Sequence, residues 1–259
     1  MLGAIAGDVI GSVYEGVLPG PEDFPLFHER CGPTDDSVLT IAVAEAILDG
    51  EPYATAIRRW GRRHPHAGYG GMFFTWMRDD ARGPYNSYGN GSAMRVSPAA
   101  WVHDTLEATL DEAQRTAEVT HNHPEGIRGA QAVAGAIFVA RTGGGRERVR
   151  RLVQGRSGYD ASLPLEQMRR DSRFDVTCQG TVPQAVSVAL VSTSVEDAIR
   201  KAISVGGDAD TLACIAGSIA EALHGGLPRA LADAVLARLD DRQRAVTERF
   251  VARHGVPIG

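Results

Sequence analysis

Apolar residues recur along most of this chain three and four positions apart, the period of helices with one buried face rather than the alternation of strands. The first such stretch, Met1–Glu15, carries Gly3, Gly7 and Gly11 at i, i+4 and i+8. That spacing lines the three glycines along one face, a groove into which another helix can pack, at about 1 kcal/mol each relative to alanine. Val38–Leu48 is stopped by Gly50 with Pro52 beyond, and Pro52–Trp60 follows. Residues 61–98 are rich in glycine, proline and aromatics and read as loop. Asp104 with Glu107 has the pattern of a capping box for a helix to about Val119, and Pro124 at a first-turn position opens one to Arg141, ended by Gly143-Gly144-Gly145.

The second half repeats the pattern. Val182–Val191 is helical, Ser194 with Asp197 caps Val195–Val205, and Gly206-Gly207 stops it. Thr211–Leu223, Leu231–Leu239 and Arg242–Arg253 complete the set, while Gly155–Phe174 has no clear period and is expected to be a mobile loop with short helices. No strand, repeat or low-complexity tract stands out. The expected fold class is all-α, one compact domain over residues 1–259.

Composition narrows the class without naming it. The 259 residues are 43% apolar and 23% charged, the balance of an ordinary globular domain. A net charge of −5 disfavours general binding to nucleic acid or acidic membranes. No run reaches the roughly 18 apolar residues of a membrane span, and the N-terminal stretch, broken by Asp8 and glycines, lacks a basic leader. Cys31, Cys178 and Cys214 are odd in number and form no CxxC pair, so reduced thiols and a cytoplasmic location are expected.

Two acidic clusters carry the chemistry. Thr34-Asp35-Asp36-Ser37 and Gly206-Gly207-Asp208-Ala209-Asp210-Thr211 each put two carboxylates and a threonine at the head of a helical pattern. A lone acid there is a plain cap, worth ~0.3–1 kcal/mol. Doublets add like-charge repulsion that capping does not require and a bound cation relieves. An all-oxygen set suits Mg²⁺, Mn²⁺ or Ca²⁺ rather than a thiolate-seeking metal.

Five segments in order resemble the ADP-ribosylglycohydrolase family: Gly7-Asp8-Val9-Ile10-Gly11-Ser12-Val13-Tyr14-Glu15, the Thr34–Ser37 cluster, Ser87-Tyr88-Gly89-Asn90-Gly91-Ser92-Ala93-Met94-Arg95, Thr120-His121 and the Gly206–Thr211 cluster. The resemblance implies an all-α domain of orthogonal helices around a central dinuclear cleft holding two divalent cations, Mg²⁺ or Mn²⁺. It implies Thr34, Asp35, Asp36, Asp208, Asp210 and Thr211 as ligands, with Asp35, Asp36 and Asp208 also able to take a proton from water. It further implies Glu15 as the accessory acid, against a bland reading as a solvated helix-end carboxylate. Ser37 and Ala209 stand where threonine is frequent, and both keep the carboxylates in register.

The resemblance also gives the loop Ser87-Tyr88-Gly89-Asn90-Gly91-Ser92 a role beyond an Asn-Gly turn. Its glycines would bring backbone N–H groups near a diphosphate, Tyr88 would pack on a base or ribose, and Asn90 and Ser92 would donate to the pyrophosphate. His121 resembles a ligand-contacting histidine, and His123 shapes the turn before Pro124. His121-x-His123 and His64-x-His66 lack a nearby cysteine and do not carry a zinc reading. Trp60, Trp76 and Phe73-Phe74 read as core or cleft wall, and Arg146–Arg151 as a solvated face. The expected activity is metal-dependent release of ADP-ribose from a protein side chain or small conjugate, by a monomer. The alternatives are hydrolysis of another ribosyl or nucleotide ligand, and non-catalytic ADP-ribose binding.

Overall fold

The computed structural model describes residues 1–259 and contains helices but no sheet. In order they are α1 (Leu2–Gly11), α2 (Asp35–Asp49), α3 (Tyr53–Arg63), α4 (Gly71–Arg78), α5 (Gly91–Met94), a 3₁₀ turn (Ser97–Trp101), α6 (Leu106–Glu118), α7 (Pro124–Arg141) and α8 (Gly145–Ser157). Then come α9 (Leu165–Arg170), α10 (Cys178–Val191), α11 (Val195–Val205), α12 (Ala209–Leu223), α13 (Arg229–Leu236) and α14 (Asp241–His254). The all-α expectation holds, with two isolated bridges, Gly89 to Thr177 and Leu227 to Ile258, as the only β-type pairings.

The boundaries that differ do so for local reasons. α1 stops at Gly11 rather than Glu15: the Ser12 hydroxyl bonds back to the Val9 carbonyl at 2.9 Å and the chain turns, so Glu15 sits on a loop. The cap of α6 is Thr105, which accepts from Ala108 N–H, and not Asp104. The loop-rich stretch holds α4 and α5, and α10 starts at Cys178 behind a Thr177 cap. The missed box is at α14, where Asp240 and Gln243 cap reciprocally. Ser194 caps α11 through Asp197 N–H as expected.

α12 is buried along all but its last residue, so it is the axis of the molecule. α1, α7, α10 and α11 pack around it, and α2 joins through α1. The glycine stripe of α1 is the seam. A Cβ on Gly3 would lie 2.3 Å from the Gly217 carbonyl oxygen, one on Gly7 2.0 Å from that of Ala213, and one on Gly11 2.6 Å from the Asp210 Cα. The buried apolar side chains form one connected cluster drawn from both halves of the sequence. All three cysteines are buried and unpaired. No helix is long and apolar enough to cross a membrane.

Candidate active site

The seam between α1 and α12 places the two acidic clusters together. Because Gly11 lets the first turn of α12 close in, Asp210 arrives beside Asp8, the one charged residue of α1. Asp8 in turn organises the first cluster. Its Oδ2 accepts the N–H groups of Thr34 (3.0 Å) and Ser37 (3.1 Å), and its carboxylate also takes both of their hydroxyls. Thr34 caps α2 through Asp36 N–H, which fixes where Asp35 and Asp36 project. The clusters then touch: Thr211 Oγ1 donates to Asp36 Oδ2 at 3.2 Å. One oxygen each from Asp8, Asp36 and Asp210 lie within 4.8 Å of one another, as do one each from Glu15, Asp208 and Asp210.

Backbone geometry brings Glu15 into this group. Gly206 and Gly207 have φ of +78° and +73°, a region that favours glycine. They pair with the loop after α1, Gly16 N–H to Gly207 O at 2.7 Å and Gly207 N–H to Val17 O at 3.1 Å. Glu15 therefore stands exposed at the rim, facing Asp208 and Asp210. Asp208 occupies the N-cap position of α12 yet makes no cap bond; it accepts instead from Asn90 Nδ2 at 2.6 Å.

A cavity of about 880 Å³ rises from these carboxylates. Glu15, Asp35, Asp36, Asp208, Asp210 and Thr211 line one end, and Ser87 to Gly91 with His121 line the other. Tyr88, Phe174 and Met72 stand exposed around it. Phe73 joins the wall, while Trp60 and Trp76 are core. Asp35 faces the cavity but belongs to neither close carboxylate group.

The loop differs in detail from expectation. Ser92 does not line the cavity: it is buried, and its hydroxyl donates to the Gly126 carbonyl at 2.7 Å. The Asn90 amide is spent on Asp208 and Thr181, and three of the loop's N–H groups are already committed, Ser87 to Thr120 O, Gly89 to Ser87 Oγ and Asn90 to Val176 O. Gly89 and Gly91 make room for the His121 ring, since a Cβ on Gly91 would lie 3.1 Å from its Nε2. His123 caps α7, and neither His-x-His pair joins a close group of candidate ligands. Arg146 to Arg151 lie on the largely exposed α8, with Val149 buried beneath.

Sequence reasoning missed Asp8, although a lone acid inside an apolar glycine-striped helix was the available signal. It also gave no role to Arg95, Tyr85 or Thr120, which surround His121.

Crowding and burial push these acids up together. Burial is the largest cause at each, followed by neighbouring carboxylates at Asp35, Asp36 and Asp210; hydrogen bonds oppose it at Asp8 and Asp208. Asp8 rises to about 6, Asp35 to about 8 and Asp210 to about 9, with Asp36 well above its ordinary value. Partial burial and then Asp208 raise Glu15. Two oxygens, Asp36 Oδ1 and Asp210 Oδ1, are sealed from solvent with no hydrogen-bond partner. Unpartnered buried acceptors in an all-oxygen cluster without histidine or thiolate fit hard divalent cations.

The all-helical scaffold thus brings carboxylates from distant parts of the chain together at the foot of one cavity. The chain belongs to the ADP-ribosylglycohydrolase family, whose sequence model matches residues 1–256. It is 27% identical to the ADP-ribosylarginine hydrolase Tri1 of Pseudomonas putida (strain GB-1), across 88% of this chain and 71% of that one. It is 26% identical to the ADP-ribosylhydrolase ARH3 of Bos taurus, across 87% and 84%. Its fold matches a solved chain of an ADP-ribosylglycohydrolase-related protein complex at a TM-score of 0.71, with 22% identity over 97% of this chain and 96% of that one. The protein is thus a glycohydrolase-family enzyme rather than a bare binding module.

Proposed function

We propose that this chain works as one domain that hydrolyses the bond at ribose C1″ and releases ADP-ribose from a modified side chain or small conjugate, with divalent cations. The observation that carries this reading is the convergence of Asp36 with Asp208 and Asp210 at one end of a cavity large enough for a nucleotide. Asp35, Asp36, Asp208, Asp210, Thr34 and Thr211 would hold two Mg²⁺ or Mn²⁺ ions. When bound, such cations supply fixed positive charge beside the reacting carbon and orient the ribose hydroxyls and water.

The chain's own groups do the rest. Glycosyl transfer passes through an oxocarbenium-like state that neighbouring carboxylates favour electrostatically. Asn90 fixes the direction of Asp208 by its hydrogen bond. Glu15, raised above its ordinary value and exposed at the rim, is placed to take a proton from water or return it to the leaving group. Tyr88 and Phe174 offer aromatic faces for a base.

The deciding experiment sets Arg-, Ser-, Asp/Glu- and nucleobase-linked ADP-ribose and O-acetyl-ADP-ribose side by side, with EDTA and then added Mg²⁺ or Mn²⁺. Release from at least one linkage, lost with EDTA and restored by either ion, is expected. No release from any linkage, or full release in EDTA, overturns the reading. Asp210→Asn should abolish turnover while leaving the helical circular dichroism unchanged.

A further inference from the structure

The floor of the cavity holds a fully buried arginine that the reaction scheme above does not use. Arg95 Nη2 donates to the Thr116 carbonyl at 2.9 Å and to Thr120 Oγ1 at 2.7 Å. Thr120 Oγ1 lies 2.7 Å from His121 Nδ1. A guanidinium only donates, so the threonine oxygen is the acceptor in the first of these bonds. A hydroxyl has one proton and two lone pairs, so Thr120 can give that proton to His121 Nδ1, the arrangement that the positive charge of Arg95 favours over an N–H at Nδ1.

We propose that Arg95 and Thr120 are positioning residues that act through His121, fixing it as the tautomer that carries its proton on Nε2 and offers that N–H to the anionic diphosphate of the ligand. This rests on the reading that the cavity takes ADP-ribose. His121 Nε2 makes no hydrogen bond within the protein and is not among the polar atoms sealed from solvent without a partner. It lies beside Gly91 on the cavity wall, where any side chain would press on it. Tyr85, its ring 6.1 Å from His121, also faces Thr120. Burial pushes the Tyr85 phenol up to about 12, against the Arg95 charge and a Thr120 hydrogen bond, so it stays protonated. Burial, then the Arg95 charge, hold His121 well below its ordinary value, so the donor is a neutral imidazole. Thr116, Thr120 and His121 come from one helix end and the turn after it, and Arg95 from the residue after α5. The relay therefore ties the residue after α5 to the end of α6 and the turn that carries His121.

The test combines a spectrum and a titration on the full chain with saturating Mg²⁺. Histidine ¹⁵N–¹H correlation at neutral pH, with His121 assigned through His121→Gln, should give the neutral Nε2–H pattern with Nδ1 accepting a hydrogen bond. Thr120→Val should lose the hydrogen-bonded Nδ1 shift and weaken ADP binding about tenfold, and Thr120→Ser should restore both. A protonated Nδ1 in the wild type overturns the proposal without any variant. So does Thr120→Val that binds ADP as the wild type does. Failure of the wild type to bind either ADP or ADP-ribose would instead remove the ligand reading, while the ¹⁵N pattern still decides the relay.

Discussion

Asp208 stands where a helix cap belongs and caps nothing, which sets it apart from the cap residues of other helices. Ser194 and Asp240, at equivalent positions of α11 and α14, both accept the N–H three residues on. Asp208 forgoes that bond and is turned by Asn90 into a group of carboxylates that repel it. Asp8 has the opposite character: its oxygens accept four bonds from Thr34 and Ser37, so it shapes the first cluster as well as joining it. Glu15 differs again, since it is exposed and makes no salt bridge that would give it a structural task. Glu15→Gln should slow cleavage by about 100- to 10,000-fold, the range for loss of a positioned acid or base, with ADP-ribose affinity nearly unchanged. Single-turnover rates and calorimetric titration check this, and equal losses in both would demote Glu15 to a binding or structural role.

At the scale of elements, the α1–α12 seam sets the site, and glycines set the seam. Gly7→Ala puts a methyl 2.0 Å from the Ala213 carbonyl oxygen, backbone against backbone, with no flexible side chain to yield. It should cost about 3 kcal/mol in urea unfolding, the upper range for overpacking, and weaken Mg²⁺ binding because Asp8 and Asp210 move apart. Gly155→Ala on α8 has open space and ordinary helical geometry, so the same chemical change there should stabilise by about 1 kcal/mol. Equal effects at the two positions would remove the seam argument. The seam was legible in the sequence because a stripe of glycines on an apolar helix has few other uses. The acidic doublets were legible because repulsion within four residues demands a reason. What was not legible depended mostly on contacts between distant segments, and at α1 on a local one. The fate of Ser92 turns on Gly126, that of Asn90 on Asp208, and the end of α1 on a Ser12 back-bond that competes with helix continuation. Asp104 and Asp240 show the same limit for caps: neighbouring Asp and Thr offer several registers, and only the helix axis selects one.

The whole molecule carries the consequence of gathering these acids. Asp8, Asp35 and Asp210 have folded values of about 6, 8 and 9, against an ordinary 3.8, chiefly from burial. A carboxyl raised on folding binds its proton more tightly in the native state. Its stabilising contribution is therefore complete below the ordinary value and is lost as pH climbs through about 6 to 9. Glu45 runs the other way: burial opposes it, but the bonds it accepts from Arg59 and Trp60 hold it below its ordinary value, so its contribution is lost in acid. The raw melting temperature mixes both trends, and the increment produced by Mg²⁺ isolates the first. Cations and protons compete for the same oxygens, so the Mg²⁺ increment should be small near about pH 5 and grow toward about pH 8, approaching ~2.7 kcal/mol at about 100 times Kd. Asp36→Asn should flatten that pH dependence. Thermal melts with and without Mg²⁺ across this range measure it, and an increment independent of pH would mean that the ion binds somewhere other than among these aspartates.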